Sequence, residues 1–350
     1  MPTLSPNRLR EIGYELFEAA GCSAEDARVV INHLVDSSLY GHDSHGIIRL
    51  YEYLDFFEKG VWNPRGIPKV VTERPCTATV DGGSAMGQIS GAFAMRIAMN
   101  KAREHGTATV TLRNCSHVGR CGAYPLMAAR EKMIAIAFVN AGHLGRQIAP
   151  HGGLDGKLST NPIAFAAPRR DHEPIMVDMA TSVTAEGKIR VARNRGDKLP
   201  IGWITDHDGQ PSAEPNDYLE SAGAILPLGG VASHKGYCLS YIVEVLGGAL
   251  SGEGVASGEV DMSSNGVLFT AYDIEHFTEL DTYYNEIETL IEHVRTSRVD
   301  PKIGEILVPG EPEFRTAEQR TLNGISIDET TWSHICAGAA KLGLDTNTWS

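Results

Sequence analysis

The chain has 350 residues, more than one compact core usually holds, and its 42% hydrophobic and 21% charged side chains are ordinary globular usage, which argues against disorder or fibre. Its formal net charge of −13 repels phosphate backbones and anionic lipid, so neither nucleic acid nor a membrane surface is expected as a partner. A site for an anionic small molecule must therefore supply positive charge of its own.

The first 60 residues read as helices. Ser5-Pro6 opens one, with Leu9, Ile12, Leu16 and Phe17 at helical spacing and Gly21 closing it. Ser23 caps a second, with Asp26 three residues on and Ile31, Leu34, Val35 and Leu39 as its apolar face. His42-Asp43-Ser44-His45-Gly46 precedes a third pattern carried by Ile47, Leu50, Tyr51, Leu54 and Phe57. Gly60 to Pro68 reads as a connection. The middle of the chain then changes character. Short strands are expected at Ala108–Leu112, Ile134–Val139, Ile163–Ala167, Ile175–Val177 and Val267–Tyr272, with helices at Ala123–Glu131 and Tyr237–Leu250 between them. That alternation is α/β. From about Asp281 the pattern is helical again, broken at Pro309-Gly310-Glu311-Pro312.

No GxGxxG follows a strand. The nearest string, Gly252-Glu253-Gly254 with Gly258, has the wrong spacing and follows a helix, so a dinucleotide site has to be non-Rossmann. P-loop, HExxH and GxSxG signatures are absent. Six cysteines, at 22, 76, 115, 121, 238 and 336, include no CxxC pair, and reduced, mostly buried thiols are expected. The first 17 residues hold no apolar core of a signal peptide, and no apolar run reaches the ~18 residues of a membrane span, so a cytoplasmic protein is expected.

Chemistry concentrates in two places. Ser44 precedes the third helix, where an N-cap alone would account for it. With His45 in the first turn, Arg49 and Tyr53 follow at i+4 and i+8 and share its face, which fits a polar surface stripe as well as a site. Reducing a 2-oxo acid requires a guanidinium for the carboxylate and a proton donor for the developing alkoxide, and Arg49 and a histidine supply these. His117, in Asn114-Cys115-Ser116-His117-Val118-Gly119-Arg120, follows a strand and is either catalytic or a loop histidine bonded to backbone. Lys235 opens a helix, where a cation is unfavourable unless an anion such as a cofactor phosphate joins it, though a solvated lysine fits too. Asp178-Met179-Ala180-Thr181-Ser182 offers small and hydroxyl side chains after a strand, compatible with a ligand or an ordinary turn.

The ordered set is more specific than its parts. Asp43-Ser44-His45-Gly46 with Arg49, Ser116-His117-x-Gly119, Thr160-Asn161-Pro162, Asp178–Ser182, Leu199-Pro200-x-Gly202-Trp203, Leu226–Gly230, His234-Lys235-Gly236-Tyr237 and Pro309-Gly310-Glu311 occur in this order. The chain thereby resembles the type-2 malate/L-lactate dehydrogenase family over essentially its whole length. The family also contains sulfolactate, ureidoglycolate and diketogulonate dehydrogenases and piperideine-2-carboxylate reductases, and the strings Gly41–Ile47 and His117–Tyr124 most resemble its hydroxycarboxylate dehydrogenase branch.

The resemblance implies a central mixed-sheet α/β domain (76–280) that binds NAD or NADP, and a helical domain built from both chain ends (1–75 plus 281–350). It implies a homodimer with each site near the subunit interface, and a small 2-oxo or 2-hydroxy acid as substrate. His117 is then the leading acid/base, His45 and Arg49 contact substrate or nicotinamide, and Ser44 and Tyr53 line the site. Asn140, Thr160, Asn161, Asp178, Met179, Ala180, Thr181, Lys235, Gly236, Pro309, Gly310 and Glu311 hold the cofactor. Two departures stand out: Ser159 replaces the family's usual glycine, and Cys115-Ser116-His117 replaces Ser-Asn-His. Arg146, in a member-specific stretch, is expected to influence substrate choice or the 2′-phosphate of NADP. The rival readings are a cyclic imine reductase on the same fold, a metal-dependent hydrolase built on His42, Asp43 and His45, and a non-catalytic binding protein.

Overall fold

The structure, a computed structural model, describes residues 2–258 and 264–349. In chain order it runs β1 (Thr3–Leu4), α1 (Pro6–Ala19), α2 (Ala24–Leu39), α3 (Arg49–Glu58), β2 (Lys69–Arg74), β3 (Thr77–Asp81), α4 (Gly87–His105), β4 (Thr107–Cys115), α5 (Ala123–Arg130) and β5 (Met133–Asn140). It continues through β6 (Ile163–Ala167), β7 (Ile175–Met179), α6 (Glu186–Arg195), β8 (Ile204–Thr205), β9 (Pro211–Ser212), α7 (Pro215–Leu219), β10 (Ala224–Ile225) and α8 (His234–Val243). The last elements are β11 (Asn265–Asp273), α9 (Leu280–Arg295), α10 (Glu311–Asn323), β12 (Ile325–Ser326) and α11 (Glu329–Lys341).

The first two helices begin where their caps dictate. The Ser5 hydroxyl accepts from the Arg8 amide and the Ser23 hydroxyl from the Asp26 amide, each satisfying a donor that the first turn leaves open. Their apolar faces meet: Leu9, Ile12, Leu16 and Phe17 of α1 pack with Ile31 and Leu34 of α2, Leu50 of α3, and Ile335 and Ala339 of α11. β1 pairs antiparallel with β12, so the two ends of the chain close one helical core.

The second core is the seven-stranded mixed sheet, in the order β2-β3-β4-β11-β5-β6-β7. The β3–β4 pair is parallel and the others are antiparallel. Val110, Leu112, Ala135, Ala137, Val267 and Phe269 pack with Ala94, Met95 and Ala98 of α4 and Ala128 of α5. Each fully buried large side chain there contributes roughly 1.5–3 kcal/mol. Register sets Phe269 between Val110 and Ala137, and a one-residue slip would turn it away from this core. A third, smaller core holds Ile148, Ile189, Leu199, Ile204 and Ile225 against the sheet β10-β8-β9.

Several elements differ from expectation. β2 is exposed at all six positions and carries no alternation of burial. The buried face of α4 is Gly, Ala, Ser and Met with one glutamine, Gln88, too weakly apolar to stand out as a stripe. The expected helix Tyr237–Leu250 starts earlier, at His234, and passes into a π-helical turn over Glu244–Ala249. Gly247 and Gly248 let that turn close on the sheet: a Cβ on Gly248 would lie 2.5 Å from Asn140 Nδ2. The thiols are less buried than expected. Cys22, Cys115 and Cys121 are buried and Cys336 half-buried, whereas Cys76 and Cys238 are exposed, because β2–β3 and α8 present those turns outward. Among the described residues no helix is long and apolar enough to cross a membrane.

Candidate active site

His45 and His117 meet where the helical core faces the sheet, their rings stacked at 5.3 Å with planes inclined 27°. His117 follows β4, and its backbone is clamped from two directions. The Ser116 hydroxyl accepts from the Gly87 amide at the start of α4 (2.8 Å), and Asn265 Oδ1 accepts from the Val118 amide (2.9 Å). A Cβ on Gly87 would come within 2.4 Å of the His117 carbonyl oxygen, so α4 abuts the loop directly. Serine replacing the family's asparagine at 116 thus holds an α4 amide in place. On the imidazole, Nδ1 is hydrogen-bonded to the Tyr53 hydroxyl at 2.7 Å, which leaves Nε2 for a ligand. Tyr53 is buried, wedged edge-on against Trp62.

The Ser44–Tyr53 segment departs from expectation. Ser44 is not the cap of α3, and His45 is not in its first turn. Asp43–His45 form a separate 3₁₀ turn, and α3 begins at Arg49 behind Ile48, with no side-chain cap. Gly46 breaks the helix: a Cβ there would lie 2.0 Å from the Ser38 hydroxyl, so the chain presses on α2 before it can wind. Consequently His45 leaves the helical face that Arg49 and Tyr53, four residues apart in α3, still share, yet the three converge. The Ser44 hydroxyl bonds His45 Nδ1 (2.9 Å), and Arg49 Nε donates to the Ser44 carbonyl (2.7 Å). Arg49 Nη1 pairs with Glu52, while Nη2 has no partner among the described residues.

Burial is the main force on the site's protonation, with Arg49 second. Together they hold His117 well below the ordinary histidine value and pull His45 down to about 3. His33 is likewise pulled to about 3 by burial, then by Arg120 and His45. All three rings are neutral near pH 7. Because their folded values lie below the unfolded value of 6.5, the unfolded chain binds more protons in between. The contribution of His33 and His45 is therefore complete above about pH 6.5 and is lost as pH falls toward 3, and that of His117 is lost in the same direction. Urea midpoints are expected to drop between about pH 7 and about pH 5, and to drop less in His33→Asn. Equal drops would remove His33 from this account.

His33 also shapes the catalytic loop. Its Nε2 accepts from the Arg120 amide at 2.8 Å, and Gly119 passes it with φ of +75°, where an added Cβ would lie 2.3 Å from that nitrogen. Gly119→Ala combines left-handed strain with collision, each worth about 1–3 kcal/mol. A lowered melting temperature together with reduced turnover is expected, and an unchanged melting curve would contradict it. Arg120 is buried, its guanidinium 4.6 Å over the Tyr40 ring and 3.9 Å from Asp178. Asp178 Oδ2 accepts from the Gly122 amide at 2.7 Å.

The strings expected to hold a cofactor converge through backbone hydrogen bonds. The Thr181 amide donates to Thr160 O (2.9 Å), Leu228 to Thr181 O (2.9 Å) and Gly236 to Leu228 O (3.2 Å), while Met176, at the start of the strand that leads to Asp178, Met179 and Ala180, donates to Pro309 O (3.0 Å). A Cβ on Gly236 would lie 2.3 Å from Leu228 O, and Gly310 takes a φ of +101° against Met176. Asn161, at φ +40°, is buried, and its Oδ1 has no hydrogen-bond partner among the described residues. Lys235 is exposed and pairs with no carboxylate among them. The orphaned buried acceptor and the unmatched cation at a helix start fit an anionic dinucleotide. Three candidates are otherwise engaged: the Asp178 carboxylate, on the Gly122 amide and beside Arg120, and two more. Asn140 holds backbone at Gly254, Gly142 and Gly266, and Glu311 binds the Val308 amide and Arg295. Ser159 is buried and donates to Leu144 O, tying the neighbouring loop.

Gln88, His33 and Asn265 are site residues that sequence reasoning missed; they act only through contacts 30 or more positions away, which no local pattern announces. The hydrolase triad does not assemble. Asp43 is paired with Arg320 (3.0 Å), His42 lies 3.9 Å from Glu313, and His45 stacks on His117. Arg146 donates to Gly258 O beside a cleft of about 720 Å³ that is also lined by Lys157, Glu186 and Arg190.

The malate/L-lactate dehydrogenase family model matches residues 4–336. Malate dehydrogenase of Pyrococcus horikoshii is 38% identical over 93% of this chain and 91% of its own length. Hydroxycarboxylate dehydrogenase B of Escherichia coli is 34% identical over 95% and 92%. The solved structure of sulfolactate dehydrogenase from Methanocaldococcus jannaschii superposes with a TM-score of 0.89 at 33% identity, covering 99% of both chains. With the expected mixed-sheet α/β architecture present as well, the chain belongs to the malate/L-lactate dehydrogenase family.

Proposed function

We propose that this enzyme, a nicotinamide-dependent dehydrogenase of 2-hydroxy acids, works through His117 as acid/base and Arg49 as the anchor for the substrate carboxylate. The observation that carries the reading is a neutral imidazole whose Nδ1 is committed to Tyr53, whose Nε2 is free, and whose neighbour is an arginine. In the oxidative direction Nε2 takes the proton of the substrate hydroxyl; in the reductive direction the protonated ring returns it to the carbonyl oxygen. Arg49, fixed at Nε by the Ser44 carbonyl, offers Nη2 to the carboxylate and supplies the positive charge that the acidic surface lacks. His45 stacks on His117 and excludes water from one face of it, and Ser44 fixes the His45 ring. When bound, the nicotinamide cofactor, NAD or NADP, supplies or accepts the hydride.

Thr160, Asn161, the backbone of the Asp178–Thr181 segment, Lys235, Gly236, Pro309 and Gly310 would hold the dinucleotide, with Glu311 bracing that loop through the Val308 amide. In this reading the helical unit (1–75 plus 281–350) contributes His45, Arg49 and Tyr53, and the α/β unit (76–280) contributes His117. The exposed apolar face of Tyr241 and Ile242 on α8, Val245 on its π turn and Leu250 just after it supports a homodimer. A cytoplasmic location accords with the two exposed thiols. Parallel assays of 2-oxo acids and a cyclic imine acid against both reduced cofactors test the proposal. Turnover of a 2-oxo acid is expected; turnover of the imine alone would transfer the site to C=N reduction.

A further inference from the structure

The Tyr53 hydroxyl is engaged on two sides, by His117 Nδ1 at 2.7 Å and by Gln88 Nε2 at 2.9 Å. Gln88 sits in the first turn of α4 and is 1% exposed, and its other amide atom, Oε1, is buried without a partner among the described residues. Burial raises the Tyr53 pKa, so the phenol keeps its one hydrogen throughout the working range. That single hydrogen forces a choice. With Gln88 Nε2 donating to Tyr53, the hydroxyl donates onward to His117 Nδ1, and a neutral His117 carries its hydrogen on Nε2, where it cannot take a substrate proton. If the amide turns over, Oε1 accepts from the Tyr53 hydroxyl, whose oxygen accepts from Nδ1–H, and Nε2 becomes a free base. The protonated ring needs the same arrangement, because Nδ1 then also carries hydrogen. One amide atom lacks a partner in either orientation, so the two are matched in hydrogen-bond count.

We propose that Gln88 is a positioning residue that selects, through Tyr53, which nitrogen of His117 carries the proton, and that its oxygen-inward orientation is the working one. This rests on His117 being the acid/base. The other charged and titratable groups facing His117 are Arg49 from α3, His45 from the 3₁₀ turn and His33 from α2, and none is altered by changing Gln88.

The test is ¹⁵N NMR of the His117 ring nitrogens in the cofactor-free protein, compared across wild type, Gln88→Glu and Gln88→Met, together with pH profiles of kcat and a melting curve for each. A carboxylate can only accept, so Gln88→Glu is expected to populate the Nδ1–H tautomer and raise the His117 pKa by about one unit or more. Methionine can do neither. Gln88→Met is therefore expected to populate the Nε2–H tautomer and lower kcat by about tenfold or more with KM within about twofold. If either folded variant leaves both the tautomer and the pH profile at wild-type values, the proposal is overturned. Gln88→Met preserves shape and covers the case in which the buried carboxylate prevents folding. The NMR arm needs no turnover, so failure of the His117 assignment, seen as retained activity in His117→Ala, is distinguishable from failure of the Gln88 link.

Discussion

His117→Ala is expected to lower kcat for 2-oxo acid reduction by about 10²–10⁴-fold, the usual contribution of a positioned acid/base. Three features of the surroundings set that size. The ring is oriented by a 2.7 Å bond at Nδ1, its backbone is clamped by Gly87 and Asn265, and one face is covered by His45. Water entering the vacated space is a poorer proton donor and has no fixed orientation. Alanine also removes a neutral, half-buried ring and not a charge, so the fold is expected to persist. Steady-state kinetics with a melting curve as control checks this. Near wild-type kcat in a folded variant would remove His117 from the chemistry.

Arg49→Ala is expected to act differently, through kcat/KM with a large share in KM. Removing one partner of a partly desolvated charge pair costs about 2–5 kcal/mol, or roughly 30- to several-thousandfold. Lysine is expected to rescue little. The Arg49 side chain uses Nε on the Ser44 carbonyl and Nη1 on Glu52 while keeping Nη2 for a ligand, and the one nitrogen of a lysine cannot stand at three separated positions. The loss should be concentrated in substrates that carry a carboxylate beside the carbonyl. Equal losses with an ester analogue would show that Arg49 supports the fold and not the carboxylate.

The parts of the fold that local chemistry determines were legible in the sequence. Ser5 and Ser23 mark helix starts because their hydroxyls satisfy open amides, and β6 occupies the expected Ile163–Ala167 because five apolar residues leave no polar face. What escaped depends on distant partners. β2 is a fully exposed edge strand held by pairing with β3, and α4 packs through small residues against the sheet. The π turn after α8 exists because Gly247 and Gly248 must approach Asn140 and Gly266. The same division runs through the site. Ser44, His45, Arg49 and His117 stand out as residue types in context, whereas the 3₁₀ turn follows from Gly46 meeting Ser38, a contact that periodicity cannot show. Gln88 carried no signal at all, since a glutamine in a helix is unremarked until Tyr53 lies 2.9 Å from it.

Isotope transfer from cofactor to substrate reads the hydride step itself. The enzyme is incubated with a 2-oxo acid and a reduced nicotinamide cofactor deuterated at the transferring carbon, and the product is analysed by mass spectrometry. A 2-hydroxy acid carrying deuterium at carbon 2 is expected, formed at a rate that collapses in His117→Ala. A product without that deuterium, or no reduction of any 2-oxo acid while a cyclic imine acid is reduced, would contradict it.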